Sequence, residues 1–125
     1  MPSYMLQVSY TSEAWEAMCD EPFMCMPIKT VKPVVEELAK AAALQVQFME
    51  GWGAFGEYDA VAIITAKDNL QASAVAIALL GRAVLKLKGR AIKTFKAVKT
   101  TPLLDPKMNE TEQAFQLGGQ YKPLD

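Results

Sequence analysis

A chain of 125 residues with 51% apolar side chains fits one folded domain with a real but thin core, and excludes a disordered segment. A formal net charge of −1 excludes bulk attraction to nucleic acid. The absence of histidine excludes the Ser-His-Asp triad, the Cys-His dyad, the usual zinc sites and a proximal-histidine haem.

The first strand is announced by Tyr4 to Tyr10, where Tyr4, Leu6, Val8 and Tyr10 share one face and Met5, Gln7 and Ser9 the other. Its neighbours Met1-Pro2-Ser3 carry neither the basic nor the long apolar region of a signal peptide. Thr11 or Ser12 then caps a short helix through Trp15 and Met18, which Pro22 stops. Residues 19–30 read as irregular, because two prolines forbid a continuous helix, yet Phe23, Met24, Met26 and Ile28 are apolar enough to cover something.

Thr30 is expected to cap a second helix, with Pro33 in its first turn. Val31, Val34, Val35, Leu38, Ala41 and Ala42 form its apolar stripe, and Lys32, Glu36 and Lys40 an i, i+4 ladder outside it. Leu44 to Glu50 alternates as a second strand. The glycine loop from Gly51 to Asp59 feeds a third strand, Tyr58 to Ala66, apolar on both faces and therefore central. Asp68 or Asn69 caps an alanine-rich helix that Gly81 ends. Lys88 to Val98 reads as the last strand, and Asn109 to Leu117 as a short helix in a polar tail. No apolar stretch reaches the roughly 18 residues of a membrane span. Two cysteines make no disulfide framework, so a cytoplasmic protein with no membrane and no nucleic-acid partner is expected.

The order strand, helix, strand, strand, helix, strand predicts an α+β, ferredoxin-like βαββαβ domain over residues 1–100, with 101–125 as a C-terminal extension. Both helices fall on one face of a four-stranded antiparallel sheet. The other face is expected to carry part of Val46, Phe48, Val61, Ile63 and the tyrosines. Exposed apolar area costs roughly 25 cal/mol per Å2, so a homodimer through this open sheet face is the expected remedy.

Gly56-Glu57-Tyr58-Asp59-Ala60-Val61-Ala62-Ile63 resembles the signature of the GYD-domain family. Tyr10-Thr11, the stretch Met18-Cys19-Asp20-Glu21-Pro22 and Thr94-Phe95 are also similar to it. The resemblance implies a dimeric α/β barrel, two ferredoxin-like sheets closing around a shared interior. It implies no defined activity and no cofactor. The wider superfamily holds cofactor-free monooxygenases, isomerases and cyclases, haem enzymes and ligand-sensing domains. This chain departs at residues 23–29, at Ala41-Ala42-Ala43-Leu44 in place of a glycine turn, and at Trp52-Gly53-Ala54.

Tyr10, Trp15, Trp52, Phe55, Tyr58 and Asp59 are the candidate ligand-binding residues: an aromatic, low-polarity pocket suits a flat, apolar or aromatic small molecule. The same side chains serve equally as core and dimer packing, with Asp59 accepting backbone N–H groups of its loop. The leading reading is a small-molecule-binding protein with a pocket between helix and sheet. A second is a cofactor-independent isomerase, cyclase or monooxygenase acting on an aromatic or polyketide-like substrate, with Tyr58 and Asp59, or Tyr10, moving protons. A third is a Cu(I) or thiol redox site at Cys19 and Cys25, against which stands methionine and cysteine packing in an apolar flap. The acidic start of the chain contrasts with residues 82–99, which hold seven bases and no acid. Lysines on an edge strand discourage edge-to-edge pairing, and that accounts for the strip without an anionic partner.

Overall fold

The computed structural model describes residues 1–54, 56–87, 89–103 and 109–123, with the side chains of 109–111 left aside. Phe55, Lys88 and part of the expected tail therefore lie outside the described residues.

Strand β1 (Ser3–Tyr10) runs along the middle of a four-stranded antiparallel sheet. Beside it lie β3 (Ala60–Ala66) on one side and the last strand (Phe95–Leu103) on the other. Strand β2 (Val46–Gly53) pairs with β3 and forms one edge of the sheet. The architecture is α+β and compatible with a ferredoxin-like arrangement. Among the described residues no helix is long and apolar enough to cross a membrane.

The helices follow local chemistry. In α1 (Ser12–Asp20) the Thr11 side chain accepts the Ala14 N–H at 3.1 Å. In α4 (Asn69–Gly81) Asp68 accepts the Gln71 N–H at 2.9 Å. Each satisfies an N–H that the first turn leaves without a helical partner. Helix α3 (Lys32–Ala42) carries a proline at its start and the Lys32–Glu36 pair at 3.8 Å on its outer side. It ends at Ala43 in the left-handed region, φ 53°, where glycine usually sits and where an alanine Cβ is crowded.

Between α1 and α3 the apolar stretch folds into a 3-10 turn (Pro22–Cys25) and one short helix, α2 (Pro27–Thr30). Thr30 does not cap α3. Its side chain is buried and turned inward, and Val31 takes the cap position with no side-chain bond. Pro27 presses on β2 so closely that a Cβ at Gly51 would stand 2.6 Å from the proline Cβ. Glycine at 51 is therefore a packing requirement. Strand β2 also runs three residues past the expected Glu50, with a register shift between Phe48 and Glu50. Trp52 is thus a strand residue and not a loop residue.

The expected last strand, Lys88 to Val98, is instead divided between two strands, and a further strand precedes it. Val84–Leu87 (β4) and Arg90–Lys93 (β5) pair as a hairpin, and β6 (Phe95–Leu103) then joins the main sheet. Gly89, with φ 75°, allows the tight reversal that breaks a long alternating run in two. Leu85 and Ile92 anchor the hairpin in the core, both 4% exposed. The core itself lies between the helices and one sheet face, where Leu6, Val8, Tyr10, Ala62 and Ile64 are each fully buried.

Candidate functional site

At the end of β1 the pairing shifts between Ser9 and Tyr10, so Ser9 faces Ala97 and Tyr10 faces Phe95. Lys96 is the extra residue, and the bulge aims the Tyr10 ring into the core. Phe95 stacks on it at 5.4 Å between centroids, and Trp15 meets it edge-on at 5.6 Å. The Tyr10 hydroxyl donates to the Cys25 carbonyl at 2.6 Å. Its one proton is then used, so the Thr30 hydroxyl at 3.1 Å supplies the proton of their contact.

Burial pushes the Tyr10 hydroxyl up to about 12, helped by Cys25 and Asp59 and opposed by the Thr30 hydrogen bond. A phenol held there is a donor near neutral pH and a poor base. Asp59 is tied in as well. One carboxylate oxygen accepts the Tyr10 N–H at 2.8 Å and the Trp15 indole N–H at 3.3 Å. Its own N–H donates to the Val8 carbonyl at 2.9 Å, and its carbonyl accepts the Ala54 N–H at 2.8 Å. Asp59 is therefore a clip joining β1, α1 and the turn before β3.

The structure thus brings together Tyr10, Trp15 and Asp59. Tyr58 is half-buried next to them in the chain, with no side-chain hydrogen bond among the described residues. Trp52 lies elsewhere. It pairs with Val61 on the sheet face away from the helices and stays 48% exposed. Phe55 lies outside the described residues.

Two clefts flank the β4–β5 hairpin, and other residues line both. The smaller, about 220 Å3, lies against α1, where Glu13, Glu16, Asp20 and Glu21 face Arg90. The larger, about 510 Å3, lies against α2 and α3. Val34 and Leu38 from α3, Ala78 from α4 and Leu85 from β4 make its apolar wall. Lys29, Arg82, Lys86 and Glu37 supply charge, and Thr30 and Thr94 supply buried hydroxyl-bearing side chains. Thr30 is shared: it lines this cleft and hydrogen-bonds Tyr10.

Reading the sequence placed Arg82 and Lys86 on a basic strip but assembled no cleft from them. The signal that could have found it is Gly89 between two alternating runs, which folds Leu85 and Lys86 back toward α3. Cys19 is exposed on α1 and Cys25 half-buried in the 3-10 turn, both as free thiols. Among the described residues no group of three or more Cys, Asp or Glu side chains is gathered to hold a metal ion. Comparison of the chain with protein-family models, curated proteins and solved structures finds no match.

Proposed function

We propose that the chain is a small-molecule-binding protein that works as a homodimer, with a ferredoxin-like fold of the GYD-domain type. The larger cleft is the observation that carries the binding reading. Its volume of about 510 Å3 falls in the range of ligand sites, and it combines an apolar wall with a few polar groups. The Tyr10–Trp15–Asp59 cluster borders it through Thr30.

Two observations favour binding over catalysis at the aromatic cluster. The Asp59 carboxylate already accepts two N–H groups, and the Tyr10 hydroxyl is held protonated and donates to a carbonyl. Both act here as positioning groups, Tyr10 as a donor to a backbone carbonyl and Asp59 through one oxygen that holds two N–H groups.

The homodimer rests on the sheet face without helices. In β3 the covered side carries the smaller Ala60, Ala62 and Ala66 around Ile64, while the open side carries Val61, Ile63 and Thr65. Large β-branched side chains on a wet face are costly, and Trp52 and Met5 extend the same surface. A second copy of this face is complementary by symmetry, in the manner the GYD resemblance implies.

The test is a titration of the isotope-labelled protein with naphthol, a neutral flat probe, followed by NMR. Saturable shifts centred on Val34, Leu38, Ala78 and Leu85 are the expected result. Shifts absent from that group would overturn the reading.

A further inference from the structure

We propose that the larger cleft selects an organic carboxylate carried on an apolar body; this rests on the small-molecule-binding reading above. Three cations, Lys29, Arg82 and Lys86, line the cleft against one carboxylate, Glu37. Among the described residues none of the four is paired: the ion pair present joins Lys32 and Glu36. All four side chains are exposed at the rim, where water screens them, so like charges gathered there favour a counter-charge modestly while the apolar wall beside them excludes water from the body of a ligand. Arg82 adds shape to charge, because its planar fork matches a carboxylate with two parallel hydrogen bonds.

The apolar wall sets the rest of the ligand. Val34 and Leu38 on α3 face Ala78 and Leu85, so the body that lies between them is flat or aliphatic. Two effects work against an anion. Glu37 repels it, and the carbonyl end of α4 just before Arg82 carries partial negative charge. The dipole falls off within a turn, and three full positive charges outnumber one carboxylate. The cleft on the other side of the hairpin provides a contrast inside the same molecule. Among the described residues that line it, four carboxylates stand with Arg90, a balance of charge that disfavours an anion.

Three probes of one shape decide the matter: naphthoate, naphthol and naphthylmethylammonium, titrated into the full chain by calorimetry. Naphthoate is expected to bind about fivefold more tightly than naphthol, and the ammonium most weakly. Raising salt from about 0.05 M to about 0.5 M should erase much of that preference without any variant. The double variant Arg82→Gln, Lys86→Gln should abolish the preference for naphthoate, read as the ratio of naphthoate to naphthol affinity within the same variant; a ratio that stays near fivefold overturns the assignment. Glu37→Gln should tighten naphthoate about twofold. Equal affinity for all three probes overturns the carboxylate preference and leaves the binding reading standing. No binding by any of them overturns both.

Discussion

Ile63 and Ile64 are neighbours in the chain and live in different surroundings. Ile64 points to the helices and is fully buried, while Ile63 points to the helix-free face and is half-buried beside Met5. The same contrast runs along β1, where Leu6 and Val8 are fully buried and Met5 and Gln7 are not. Both faces draw on apolar, β-branched residues. They differ in make-up as well as in cover: the covered side of β3 is mostly alanine around Ile64, and the other side carries Val61, Ile63 and Thr65. One face is packed within this protomer, and its energetics are those of a folded core. Under the proposed homodimer the other is covered by association, which would make its contribution vary with protein concentration.

The largest effect is expected on the covered face. Ile64→Ala should cost about 3 to 4 kcal/mol, read by chemical denaturation, because a cavity opens among fully buried neighbours. A loss under about 1 kcal/mol would mean that this face is not the tightly packed one.

Next is the alkaline limit of the same face. The Tyr10 hydroxyl titrates near 10 in an unfolded chain and is pushed up to about 12 when folded. Stability from that burial is complete below pH of about 10 and is lost as pH rises through about 12, roughly 2 to 3 kcal/mol in all. Burial, with Asp68 nearby, raises Tyr4 in the same direction, so part of the alkaline loss survives without Tyr10. Tyr10→Phe should cost about 1 to 2 kcal/mol at neutral pH, leaving the Cys25 carbonyl and Thr30 hydroxyl without this partner. It should also flatten the alkaline decline. An unchanged pH profile in the variant would show that Tyr10 does not set it.

The smallest effect on the protomer is expected from the open face, and it is the most informative. Ile63→Lys should leave the far-UV spectrum and protomer stability within about 0.5 to 1 kcal/mol of the original. Sedimentation should move from a dimer mass to a monomer mass, because the charge would be buried in the proposed interface. A monomer mass for the unmodified chain would remove the interface and with it the reason for large side chains on that face.

Much of the sheet was legible in the sequence. Period-two alternation marked β1, and a doubly apolar run marked β3 as an inner strand. Short-range chemistry narrowed the caps to Thr11 or Ser12 and to Asp68 or Asn69, because a hydroxyl or carboxylate before a helix bonds an N–H two or three residues on, and the structure selects Thr11 and Asp68. Thr30 shows where that reasoning stops. It has the right chemistry for a cap, but the hydroxyl of Tyr10, 20 residues away in the chain, engages its hydroxyl. Trp52 was misplaced because glycines on both sides read as a loop, while pairing with β3 carries the strand to Gly53.

By itself the sequence determined the class of fold, the positions of the main helices and the absence of histidine chemistry. These depend on composition and on spacings of two to four residues. Only the tertiary structure decided which residues share a site. It turned the basic run at 82–99 into a hairpin and an edge strand, and set Arg82 and Lys86 opposite Lys29 and Val34. It also tied Asp59 to Tyr10 and Trp15 across more than 40 positions. Such contacts are fixed by packing between distant segments, and no local periodicity encodes them.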